Sequence, residues 1–187
     1  MSSAGSFSNQ LLIAMPGMQD PTFCSTVTLV CEHNADGALG IIINRPSDMN
    51  LGVLLQQLNI AEIDAEVAAQ AVLDGGPVGR ERGFVLHSPG RDFESSMTVS
   101  PEIRLTMSRD VLDAMAGGRG PEKTLVALGY AGWEAGQLEA EMLANSWLSV
   151  PATPELLFDV PFEQRWSAAA GALGVDIRLL STDAGHA

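Results

Sequence analysis

Cys31 and His33 stand two residues apart in a stretch rich in β-branched side chains. On an extended strand they share one face, about 6.6 Å apart along the chain. An imidazole at that distance favours the thiolate, which is both the nucleophile and the oxidisable form of cysteine, so this pair is the candidate centre for an enzyme or a thiol-based redox sensor. The competing reading makes Cys31 a small buried apolar residue and His33 the start of a turn. Asn34, Asn44 and Arg45 lie near the ends of the same two strands and are candidates for ligand binding. Turn stabilisation by Asn34 and a carboxylate partner for Arg45 are the structural alternatives. Gly75 and Gly76, within Asp74-Gly75-Gly76-Pro77, allow backbone to approach an anion, although a tight turn explains them better in the absence of a phosphate-loop pattern.

Other chemistry is poorly supported. His33, His87 and His186 show neither H-x-x-x-H nor H-E-x-x-H spacing, so no metal site is expected. Phosphate-cradling glycine motifs are missing, and no cofactor is implied. Ser108-Arg109-Asp110 superficially offers a nucleophile beside a carboxylate, but a helix cap accounts for Ser108 and no G-x-S-x-G elbow occurs. Cys24 and Cys31 are separated by about 23 Å if the chain between them is extended, too far for a disulfide.

The elements that must position these residues follow from local patterns. Residues 10–15 read as a first strand, stopped by Pro16-Gly17, and 26–32 and 38–44 form a hairpin around the turn at Asp36-Gly37. Ile41, Ile42 and Ile43 imply a strand covered on both faces. Leucines 51, 54, 55 and 58 follow helical spacing after the capping residues Asp48 and Asn50. Short strands are expected at 71–73, 83–87, 97–100 and 103–107, and 62–70 is ambiguous between loop and helix. A helix at 109–116 capped by Ser108, a buried strand at 124–131, a helix at 134–144, a helix from Pro161 to about Leu173 and a closing strand at 176–180 complete the reading. Trp133, Trp147 and Trp166 are expected to anchor helices in the core. The order implies one α+β domain over 1–187, with a mixed, curved β-sheet, an N-terminal hairpin and several flanking helices; 1–9 and 182–187 are expected to be flexible.

Composition restricts the function classes. The chain of 187 residues is 46% apolar and 18% charged, which argues against disorder. Ten basic residues face 23 acidic ones, a net charge of −13, and Arg80, Arg82 and Arg91 are interleaved with acids. Direct nucleic-acid binding is disfavoured accordingly. No apolar run spans a bilayer and no charged signal-peptide region precedes Arg45, so a cytoplasmic protein without membrane contact is expected.

Several segments together resemble the bacterial AlgH/YqgE-type family: LIAMPGMQDPTF (12–23), CEHNADGALGIIINRP (31–46), DGGPV (74–78), RGFVLH (82–87), SRDVL (108–112), LVALGYAGWEAGQLEAE (125–141), NSWL (145–148) and AGHA (184–187). They run in order over almost the whole chain. The resemblance implies the same α+β architecture and an association with regulation of exopolysaccharide (alginate) synthesis, without a defined catalytic residue set. Three expectations follow: a regulatory protein acting through a protein or small-molecule partner, an enzyme or thiol sensor at Cys31 and His33, and a direct DNA-binding regulator.

Overall fold

The computed structural model describes residues 6–180. Ten strands form one curled, predominantly antiparallel sheet, and helices pack on both of its faces, giving an α+β fold. In chain order the strands are β1 (Gln10–Ala14), β2 (Val27–Asn34), β3 (Gly37–Ile42), β4 (Pro46–Asn50), β5 (Ala71–Asp74), β6 (Val78–His87), β7 (Ser96–Ser100), β8 (Ile103–Thr106), β9 (Thr124–Glu134) and β10 (Trp147–Pro151). Their spatial order is β10-β1-β2-β3-β9-β6-β8-β7, with β5 parallel to β9 and β4 paired to β5. Helices α1 (Leu51–Gln57), α2 (Ala65–Ala68), α3 (Asp110–Ala116), α4 (Gln137–Leu143) and α5 (Arg165–Gly171) complete the frame.

The period-2 alternation of the strands divides the apolar residues between the two faces. Leu11, Ile13, Leu29, Ile41, Phe84 and Leu105 face one core, closed by Ala169 and Ala170 of α5. On the other face, Val72, Val85 and Val126 pack under α1 and α3. Leu12, Val30, Trp133 and Trp147 pack beneath Leu138 of α4. Ile41, Ile42 and Ile43 are all essentially buried, as expected for a strand covered on both sides.

The hairpin forms with Asn34 paired to Gly37, and Asn50 caps α1 by accepting from Val53 N at 3.0 Å. Several boundaries differ from the sequence reading. Residues 176–180 are not a strand: Ile177–Leu179 is a 3₁₀ turn, in which Ile177 and Leu180 reach the core three residues apart while Leu179 is 80% exposed. Ser108 does not cap α3. Its Oγ donates to Asp110 Oδ1 at 2.5 Å and accepts from Ser95 N at 3.0 Å, tying the chain before β7 to the start of the helix. The expected helix at 134–144 starts later because β9 continues to Glu134 and Gly136 turns the chain at φ +77°. The helix expected from Pro161 divides into a 3₁₀ turn and α5. Residues 6–9 lie against β2, with Asn9 N donating to Val30 O at 2.9 Å and Phe7 N to His33 Nδ1 at 2.9 Å. The flexibility expected for 1–5 and 182–187, and His186, lie outside the described residues.

The turn after β5 crosses β9 at backbone contact. A Cβ on Gly75 would lie 2.4 Å from Gly129 O, and one on Gly76 would lie 2.1 Å from the Tyr130 carbonyl carbon. Gly76 also adopts φ +152°, which disfavours any L side chain. Gly76→Ala is therefore expected to destabilise the protein by more than about 2 kcal/mol, measured by denaturant unfolding. A midpoint equal to the wild type would refute the close-crossing argument.

Candidate functional site

The first candidate pair is separated by a defect in the strand. The β2–β3 register shifts between Val30 and Glu32, so Cys31 is the extra residue of a β-bulge and the alternation that would align it with His33 is broken. Cys31 joins Leu29 and Ile41 in the core on the α5 side, with Sγ 3.8 Å from the Leu29 carbonyl oxygen. Burial pushes its thiol far above the ordinary cysteine range, with the Glu32 charge adding to the shift. His33 instead meets α4. Its Nδ1 accepts from Phe7 N, which leaves Nε2 to donate to Glu139 Oε1 at 2.5 Å, and its ring packs 5.4 Å from that of Phe7. The hydrogen bonds of these two side chains thus lead to different layers of the molecule.

Asn34 stays at the hairpin turn, where Oδ1 accepts from Asp36 N at 2.8 Å. The opposite end of the hairpin carries Asn44 and Arg45. Asn44 Oδ1 accepts from Val27 N, and its Nδ2 donates to Ser25 O, both at 2.9 Å. Arg45 donates to the carbonyls of Pro21 (3.0 Å), Thr22 and Cys24 (2.8 Å), and not to the carboxylate expected from sequence. A planar guanidinium has enough donors to hold several carbonyls of one turn, so the loop between β1 and β2 is clamped in a fixed shape.

That clamp builds one wall of a cleft of about 270 Å³. Its lining includes Thr22 and Arg45 from the clamped loop and hairpin end, Ile42 of β3, and Asp74, Gly76 and Arg80 from the turn between β5 and β6 and its flanks. Arg80 is 71% exposed and lies 3.4 Å from Asp74, a loose surface pair of little energetic worth. With Arg45 and Arg80 against Asp74, the charged side chains lining the cleft are positive in balance, on a chain of net charge −13. Of the sequence candidates, the fold brings Arg45 and Gly76 together here, while Asn34, Cys31 and His33 lie elsewhere. Gly75 lies behind the cleft, its amide donating to Leu128 O at 2.9 Å and its carbonyl accepting from Ile42 N at 2.9 Å. Among the described residues no group of three or more His, Cys, Asp or Glu side chains is arranged to hold a metal ion.

Arg80 sits among interleaved charges in the sequence, and only the fold places it in the lining of the same cleft as Arg45. Arg165 was missed as well. It is 2% exposed, donates to Ile43 O at 2.5 Å and Val160 O at 2.9 Å, and lies over the Phe162 ring at 4.5 Å. Burial pulls its pKa down to about 10, against the opposing influence of Asp159. Its position after Pro161 in a helical pattern gives no sign of this role. Glu141 is a third: Oε1 accepts from both Trp133 Nε1 (3.2 Å) and Trp147 Nε1 (3.0 Å), beside the edge of Phe23.

Residues 11–178 match the AlgH-like family model. The chain belongs to this family. A UPF0301 protein of Thioalkalivibrio sulfidiphilus is 54% identical over the full length of both chains, and one of Saccharophagus degradans is 52% identical over 97% of this chain and 89% of its own. The solution structure of the AlgH protein from Pseudomonas aeruginosa is similar with a TM-score of 0.81 and 51% identity, covering 100% of this chain and 99% of that one. A Corynebacterium diphtheriae protein at 19% identity has a TM-score of 0.73 over 92% of this chain and 90% of its own, a likeness of fold alone. The AlgH-like motif segments at 12–23, 31–46 and 74–78 thus coincide with the clamped loop, the hairpin and the crossing turn.

Two outcomes are expected. Arg45→Lys should lower unfolding stability by about 1–3 kcal/mol, because one ammonium cannot replace the fork on three carbonyls; it should also raise proteolysis within 15–25, and unchanged digestion would count against the clamp. In the native protein, iodoacetamide should modify half-buried Cys24 before Cys31, as read by peptide mass spectrometry. Rapid native labelling of Cys31 would reverse the reading of its burial.

Proposed function

We propose that this AlgH-like protein is a cytoplasmic regulatory or binding protein that works through a small anionic ligand seated in the Arg45–Arg80 cleft. The observation that supports the reading is the presence of a loop-clamped Arg45 and the exposed Arg80 in the lining of one cleft, on a chain of net charge −13. The exposed Arg80 guanidinium can pair with a carboxylate or phosphate through two parallel hydrogen bonds, while Arg45, whose terminal nitrogens are held by the loop carbonyls, contributes fixed positive charge. The association with exopolysaccharide (alginate) synthesis belongs to this proposal and derives from the family resemblance.

Neither alternative gains a comparable observation. A buried thiol held in its neutral form is a poor nucleophile, which weighs against Cys31 as a sensor or catalytic centre. Direct DNA binding needs a basic surface to displace counterions, and the longest helix among the described residues has seven residues, with no basic residue in any of its seven-residue examples except Arg165, which is buried.

Thermal-shift measurements against a panel of small carboxylates and phosphates test the reading. A ligand at about 100 times its Kd should stabilise the wild type by about 2.7 kcal/mol, and Arg80→Ala should reduce the shift while leaving the unliganded melting temperature nearly unchanged. Absence of any shift, together with salt-dependent retention of promoter DNA at micromolar protein, would replace this proposal with the DNA-binding one.

A further inference from the structure

His87 closes β6 at the far end of the sheet from the Arg45 cleft and is 2% exposed. Its Nδ1 lies 2.8 Å from the Ser88 carbonyl oxygen, which can only accept, so Nδ1 carries the ring proton. Nε2 is then a lone pair, and the fully buried Thr106 hydroxyl at 2.7 Å must donate to it. With its one proton committed, Thr106 Oγ1 accepts from Ser96 Oγ, also at 2.7 Å. A competing acceptor for Ser96, the Phe93 carbonyl oxygen, is at 3.5 Å. The chain of hydroxyls therefore has a direction, running inward from exposed Ser96 to a buried base.

The surroundings keep the ring neutral in the resting protein, so that Nε2 is available as an acceptor. Burial holds the His87 imidazole below its ordinary pKa, outweighing the Ser88 bond that favours its charged form, and Arg104 adds like-charge repulsion. Phe93 packs edge-on against the ring at 5.5 Å, and β9 presents Thr124 in register with it, so Arg104 of β8 is the charged residue opposite His87. Arg104 also pairs in register with Thr98, two positions along β7 from the Ser96–Thr106 pair, on the same sheet face. Its NH1 is 3.5 Å from the exposed Asp92, while its Nε is buried without a hydrogen-bond partner among the described residues. The Arg104 guanidinium thus has hydrogen-bonding capacity that no other group among the described residues uses, on the sheet face that carries the Ser96–Thr106 pair.

We propose that Ser96 is a covalent modification site that accepts a phosphoryl group from an activated donor of the acyl-phosphate class, with Thr106 and His87 as positioning residues that take up its proton. Ser96 Oγ forms the new bond to phosphorus, and the bond from phosphorus to the acyl oxygen breaks. The carboxylate leaves with that electron pair. The Ser96 proton passes to Thr106 Oγ1 as the Thr106 proton passes to His87 Nε2, and the resulting imidazolium loses a proton to solvent after the group has transferred. Arg104 is placed to pair with a phosphoryl oxygen.

The test incubates the full chain with acetyl phosphate and maps phosphate by peptide mass spectrometry over time. Neighbouring Ser95 is exposed, so it serves as an internal reference within each sample. Ser96 is expected to be modified on the order of a hundredfold faster than Ser95, the lower end of the gain from positioned proton transfer. Thr106→Val should remove the preference and Thr106→Ser should restore it, which distinguishes proton relay from packing. Equal modification of Ser95 and Ser96, no phosphate on Ser96, or a Thr106→Val rate equal to the wild type would each overturn the proposal. The Ser95 comparison in the wild type decides the matter even if a Thr106 variant fails to fold.

Discussion

Three consecutive residues at the end of the hairpin hold together parts of the chain that are otherwise far apart. The Ile43 carbonyl accepts from buried Arg165 after α4 and β10, Asn44 ties the start of β2, and Arg45 gathers the β1–β2 loop. Each of these links satisfies backbone groups that would otherwise lose hydrogen bonds on leaving water, which is costly in a dry interior. Arg165 is the most demanding member, since a guanidinium at 2% exposure must be surrounded by acceptors. Its carbonyl partners and the Phe162 ring provide that environment. The cleft wall, the position of α5 and the closure of one core all depend on this junction.

The second constraint is spatial rather than chemical. Gly75 and Gly76 pass over Gly129 and Tyr130 at a separation that excludes a methyl group, so β5 can lie parallel to β9 while the chain turns into β6. The Gly75 amide and carbonyl link Leu128 to Ile42 and join the crossing to the hairpin. A motif that resembles an anion-binding loop is here shaped first by packing, and Gly76 reaches the cleft as a consequence of that packing.

The fold was legible wherever the signal was local. The hairpin turn at Asp36-Gly37, the three buried isoleucines and the Asn50 cap all depend on residues close in sequence. β4, β10 and the first half of β6 were not legible, because their residues are polar or mixed and become strands through partners distant in the chain; β10 is specified largely by its pairing with β1. The candidate site was legible in part. Arg45 could be singled out by type, but its acceptors lie about twenty residues away, and Arg80 acquires meaning only once β6 is placed. Cys31 and His33 show the limit most clearly: one inserted residue reverses which face a side chain occupies, and no periodicity within β2 itself announces the bulge.

The three indoles are bonded into different layers of the molecule. Trp133 and Trp147 share the Glu141 carboxylate on α4, whereas Trp166 on α5 donates to the Ala14 carbonyl at 2.9 Å. Both helices therefore dock on the β1 side of the sheet through a tryptophan N–H, one on each face. Intrinsic emission consequently carries two structural signals: loss of α4 frees a pair of rings stacked edge-to-face at 6.3 Å, and loss of α5 exposes a single ring. The protein has a built-in optical gauge of which face opens first.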